Sequence, residues 1–138
     1  MHLFRDLVIE DYEQILDLWR NTAGVVISES DSEPSIRAFL DRNQGLSFVC
    51  EDEGQIVGTA LCGHDGRRGF LYHVAVKSSY RGQGIGSALV SSCLEQLKQR
   101  GILRCQCMVL ADNTAGGRYW SAAGWNRRRD LLLYSRDT

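Results

Sequence analysis

The stretch from Leu71 to Val90, LYHVAVKSSYRGQGIGSALV, decides how the rest of the chain is read. It opens as a β-rich apolar run and closes as an amphipathic helix, and Gly82, Gly84 and Gly86 alternate between the two. Glycine costs a helix interior roughly 1 kcal/mol relative to alanine, so three of them at a helix start imply a gain from bare backbone. A strand that enters a helix through such a turn presents free N–H groups and the positive end of the helix dipole, a combination that holds phosphate. Arg81 adds a charge at the rim and Ser87 a hydroxyl. The competing reading is a tight turn whose glycines serve packing only.

Working outward, the helix runs from about Gly84 to Arg100, with Ile85, Leu89, Cys93 and Leu97 as its buried face, Val90 and Leu94 flanking it, and Gly101 as its stop. LRCQCMVL (103–110) reads as a strand, Asp112 or Asn113 caps a helix through about Ala122, and LLLYSR (131–136) reads as a last strand. Upstream, the turn signals Glu53-Gly54 and Asp65-Gly66 divide three antiparallel strands at about 46–52, 55–63 and 69–77. The stripe Tyr12, Ile15, Leu16, Trp19 predicts a helix from Asp11 to Asn21, and Pro34 opens a second one bearing Ile36, Phe39 and Leu40. The polar SESDSE segment (28–33) between them predicts a flexible lip, and residues 2–6 a first strand. The order β-α-α-β-β-β-α-β-α-β gives an α/β fold, a mixed, mostly antiparallel sheet with helices on both faces, in a single domain over residues 1–138.

Composition narrows the function classes. A formal net charge of −1 gives no electrostatic reason to expect a nucleic acid or an acidic membrane as partner, and Arg127–Arg129 read as a solvated run. No apolar run reaches the length that spans a bilayer, and acids stand where a signal peptide would be apolar, so a cytoplasmic location is expected. The five cysteines form no C-x-x-C pair and read as core hydrophobes, with no metal site expected.

The phosphate compound can be narrowed too. A nucleoside triphosphatase loop requires a lysine after its last glycine, and none follows Gly86. A dinucleotide fold requires an acidic residue on the next strand, and residues 103–109 contain none. The stretch does resemble the central motif of the GNAT superfamily of N-acetyltransferases, whose signature Q/R-x-x-G-x-G/A is carried by Arg81, Gly84 and Gly86. ADNTAGGRYWSAAGW (111–125) is similar to that superfamily's asparagine-to-G-[FW] segment, with Asn113 and Gly124-Trp125 in place. GHDGRRG (63–69) resembles the corresponding turn of small bacterial members.

The resemblance implies acetyl-CoA as cosubstrate. It sets Val74, Ala75 and Val76 along the pantetheine arm, wraps Gly82, Gln83, Gly84, Ile85, Gly86 and Ser87 with Arg81 around the pyrophosphate, and adds Asn113 and Trp120 as coenzyme contacts. It also implies a central splay of the sheet, in which the thioester lies. The reaction implied is direct attack of a small-molecule or protein amine, with backbone N–H groups near Val76 holding the oxyanion. Many relatives have a tyrosine where this chain has Trp120, and some have a glutamate where it has Met108. Tyr72, read as sharing a face with Val74 and Val76, and Tyr119 are therefore the candidate proton carriers, although the helical stripe of Tyr119 better suits a core role. His73 reads as a structural histidine on the other face. Gly116 and Gly117 suit either a close approach of the coenzyme or a loose helix start. The alternative function is a catalytically weak module that senses CoA or acyl-CoA. Monomer and homodimer are both compatible with the sequence.

Overall fold

A computed structural model describes residues 2–138 of the chain. They divide into two compact units, one running to Met108 and one of Val109–Thr138. In the first, β1 (His2–Asp6) leads through a 3₁₀ turn (Ile9–Asp11) into α1 (Tyr12–Arg20). A second 3₁₀ turn (Glu29–Asp31) precedes α2 (Glu33–Arg42), which is followed by β2 (Phe48–Asp52), β3 (Gln55–His64) and β4 (Gly69–Val76). After a 3₁₀ turn at Ser78–Tyr80 come α3 (Ile85–Gln99) and β5 (Cys105–Cys107). The second unit holds α4 (Thr114–Ala122).

Among the described residues the strands form one sheet in chain order, β1-β2-β3-β4-β5. The first three pairings are antiparallel and β5 runs parallel to β4, so the sheet is mixed. Its two faces can be read from β3. The Cβ that Gly58 lacks would meet Ile85 and Leu89, so Gly58 faces α3. Its neighbour Thr59 accepts a hydrogen bond from the Trp19 indole (3.0 Å) and faces α1. Gly63, again on that side, leaves room for Asn43 and Phe39 of the α2 end. Helices thus cover both faces, as the alternation of strand side chains requires.

The α1 face holds one core. Ile15, Trp19, Ile36 and Val49 are fully or almost fully buried there, with Leu61 and Ala75 of the sheet beneath them. On the other face, Ile85, Leu89, Cys93 and Leu97 of α3 are buried, the stripe that the sequence predicts. Two polar ties fix the first helices. Asp11, just before α1, accepts two hydrogen bonds from Arg5 (2.9 Å each) and one from Val8 N–H. Ser32 caps α2 through Ser35 N–H.

The sequence predicts a final strand over 131–136, and the structure has none there. Leu132, Leu133 and Tyr134 are 81%, 79% and 86% exposed. A β-rich composition marks side chains that suit a pleated surface, but a strand exists only where a partner accepts its backbone groups, and no pairing includes this run.

Candidate active site

β4 has a partner on both edges only at its beginning. Gly69, Phe70 and Leu71 pair with Cys105, Gln106 and Cys107, and from Tyr72 onward β4 pairs with β3 alone. The parallel strands part at that point, which is the splay implied by the resemblance. Lys77 N–H bonds the Val57 carbonyl of β3 (2.8 Å). By the alternation of an antiparallel ladder, Val76 and Val74 then turn their N–H and C=O groups to the open edge. The Val76 carbonyl does accept from Arg81 Nε (3.3 Å), which seats Arg81 at the end of that edge.

The glycine turn follows directly. Gly82 and Gly84 have φ of 78° and 79°, a left-handed conformation that other side chains adopt at a cost. A Cβ at either would meet nothing within 4 Å, so packing does not require these glycines. The first hydrogen bond of α3 is Ala88 N–H to Gly84 O, and no amide from Gly82 to Gly86 meets a protein acceptor among the described residues. Bare amides at a helix start with room above them suit an anion, and no packing contact requires the glycines. Tyr80 anchors the turn from below, donating its hydroxyl to Asp52 Oδ2 (2.7 Å) at the end of β2. That bond holds the Asp52 carboxyl below the usual carboxylate range and raises the Tyr80 phenol. The contact joins elements distant in sequence, so spacing and periodicity do not reveal it.

Alternation fails in the middle of β4. Thr59 pairs with Ala75 but Leu61 pairs with Tyr72, so β4 carries one extra residue there. His73 absorbs it with a φ of 48°, unusual for a side-chain-bearing residue. The bulge corrects two expectations. Tyr72 shares the α1 face with Ala75, packing edge-on to Phe39, while Val76 pairs with Gly58 and so lies on the α3 face. His73, expected opposite Tyr72, turns to the α1 face as well, with its ring against Trp19 (4.6 Å). Its carbonyl accepts from Thr59 Oγ1 (2.9 Å), and its Nε2 lies 2.8 Å from Asp31 Oδ1.

The acidic residues 29, 31 and 33 of the polar segment therefore have different lives. Asp31 is buried, bonded to His73, to Ser28 N–H and, through its carbonyl, to the Tyr12 hydroxyl. Glu33 pairs with Arg37. Burial raises the phenol of Tyr72, so it keeps its proton at neutral pH and suits donation rather than acceptance. Burial likewise pushes the Cys107 thiol, beside the parting of the strands, up to about 11. It offers little thiolate for a covalent acyl-enzyme. Among the described residues no group of histidines, cysteines and acids is arranged to hold a metal ion.

In the second unit, Asn113 caps α4 by accepting Gly116 N–H (3.0 Å). A Cβ at Gly116 would strike the Asn113 side chain, so that glycine serves the cap, a reason absent from the sequence reading. Trp120 is half-buried between Tyr119 and Trp125, at ring separations of 5.1 and 4.8 Å. Tyr119 is 39% exposed, which removes the core role its stripe suggested. The other site residues, Val74–Val76 and Arg81–Ser87, lie on the end of β4, the turn after it and the first turn of α3.

A mixed sheet that parts beside a strand running into a glycine turn of bare amides is the N-acetyltransferase class of fold. The sequence model of the acetyltransferase (GNAT) family matches residues 10–125. An acetyltransferase of Sodalis glossinidius is 35% identical over 106 residues, which span 77% of this chain and 74% of that protein. The chain belongs to the GNAT family of N-acetyltransferases. Solved structures agree on the fold. The PaiA N-acetyltransferase of Thermoplasma acidophilum in complex with coenzyme A superposes with a TM-score of 0.77 at 21% identity, over 89% of this chain and 88% of that one. The ribosomal-protein-S18-alanine N-acetyltransferase of Escherichia coli gives 0.76 at 21% identity, over 93% and 79%. No helix among the described residues is long and apolar enough to cross a membrane.

Proposed function

We propose that this protein, acting as one domain over residues 1–138, transfers the acetyl group of acetyl-CoA to a primary amine by direct attack. The observation that carries the reading is the continuity of the open β4 edge with the unbonded amides of the glycine turn. Pantetheine is an amide chain, and an unpaired strand edge bonds it as it would another strand. Val74, Ala75 and Val76 would take that arm, and Arg81 with Gly82–Ser87 the pyrophosphate. The N–H of Val76 would face the thioester oxygen, where charge develops during attack. Asn113 and Trp120 are proposed as further coenzyme contacts. Tyr72 and Tyr119 are proposed as donors to the departing sulfur. The raised thiols of Cys105 and Cys107 favour direct attack over an acetyl-cysteine route. The acceptor class proposed is an amine on a small molecule or a protein, with no metal, nucleic acid or membrane taking part, in the cytoplasm, as a monomer or homodimer.

The test pairs calorimetry of coenzyme A binding with thiol release from acetyl-CoA in the presence of spermidine, kanamycin and an alanine-led peptide. Binding with amine-dependent release supports the transferase. Binding without turnover on any amine supports an acyl-CoA sensor instead, and no binding removes both readings.

A further inference from the structure

The reaction needs a group to take the amine's proton, and neither tyrosine suits that task. A second pair of residues does. His73 occupies the strained position of the β4 bulge, next to Val74 on the open edge. Strain of this kind persists only where the surroundings hold it. Here Trp19 packs on the ring, Thr59 bonds the carbonyl, and Asp31 bonds Nε2. Asp31 is itself fixed through Ser28 N–H and the Tyr12 hydroxyl, so the ring cannot rotate without breaking several contacts.

The chemistry of this pair is directional. A carboxylate only accepts, so Nε2 carries the hydrogen toward Asp31 and Nδ1 keeps the lone pair. Among the described residues Nδ1 has no hydrogen-bond partner and no buried side-chain nitrogen or oxygen is left unpartnered, so Nδ1 opens to solvent. A purely structural histidine has no need to keep one nitrogen open while a buried acid fixes the other. Asp31 is the charged side chain that touches the ring. The contacts from α1 and β3, Trp19 and Thr59, are neutral.

We propose that His73, oriented by Asp31, is the proton acceptor for the incoming amine, directly or through one water. This rests on the transferase reading. The amine nitrogen bonds the thioester carbonyl carbon, and its excess proton passes to His73 Nδ1. The C–S bond breaks with its electron pair going to sulfur. The resulting imidazolium is stabilised by the Asp31 carboxylate until the proton leaves to water.

His73→Asn tests the proposal without discarding the bulge, because asparagine tolerates a positive φ better than most residues. Coenzyme A affinity, measured by calorimetry, should stay within threefold of wild type, whereas kcat/KM for an amine that the wild type acetylates should fall about 100-fold or more. Asp31→Asn should keep the coenzyme affinity and reduce kcat more than it raises KM. In the intact protein, ¹⁵N NMR should show His73 with its hydrogen on Nε2. Unchanged turnover in His73→Asn, or a hydrogen resident on Nδ1 at neutral pH, would overturn the assignment. Loss of coenzyme binding in the wild type would instead remove the reading beneath it.

Discussion

Gly84 shows how one residue's freedom shapes a helix start. Its φ of 79° starts α3 with the chain turned so that the next amides face outward, and the space beside it is empty. Gly84→Val therefore meets no collision. It incurs roughly 1–2 kcal/mol of left-handed strain and sets a branched side chain over the amides. Calorimetry should show the coenzyme A dissociation constant rising more than tenfold while urea unfolding stays cooperative. An unchanged constant would mean that the turn does not grip the diphosphate. His73 is the opposite case, a left-handed residue with a large side chain, and its conformation survives because Trp19, Thr59 and Asp31 all hold it.

At the scale of elements, the joints between strand and helix carry the polar design. Arg5 on β1 reaches Asp11 before α1 and Glu51 on β2, tying three elements with one guanidinium. Burial pushes the Asp11 carboxyl up, but the Arg5 and Val8 hydrogen bonds more than offset it, and the net shift is downward. A carboxyl whose pKa is lower when folded contributes stability above its unfolded value, about 4, and loses it as pH falls through the folded value. Asp11→Ala should thus cost about 1–3 kcal/mol at pH 7 by urea denaturation, and the gap to wild type should close below about pH 4. A gap that is constant down to pH 2.5 would show that packing, not charge, sets the cost. The same elements show what could be read from sequence. The stripes of α1 and α3, the hairpin turns and the glycine turn were legible because each depends on residues adjacent in sequence or one helical turn apart. The β4 bulge was not. Alternation predicted Tyr72 beside Val76 and His73 opposite, and the inserted residue reversed both, since a register shift depends on what β3 offers across the ladder. The Asp31–His73 and Asp52–Tyr80 contacts were hidden for the same reason.

At the scale of the molecule, stability is unevenly distributed along the chain. Through Met108 the sheet and three helices enclose Trp19, Ile15, Val57 and Leu89 without exposure. Val109–Thr138 contains one nine-residue helix with no buried residue, held locally by the Asn113 cap and the Trp120–Trp125 contact. Helices shorter than about 12–15 residues are marginal on their own, and opening energies follow buried apolar contact. Hydrogen exchange on the intact protein should therefore find the amides of β3 and the middle of α3 protected to near the global unfolding energy. The amides of α4 should exchange through cheaper local opening, hundreds of times faster or more by the order of ~4 kcal/mol that separates fraying from global unfolding. Added coenzyme A provides the informative contrast. If Asn113 and Trp120 touch the coenzyme as proposed, saturating ligand should slow α4 exchange by mass action along with that of residues 82–88. Protection confined to residues 82–88 would detach Asn113 and Trp120 from the binding site, and α4 amides as slow as those of β3 without ligand would show that the core extends through this helix.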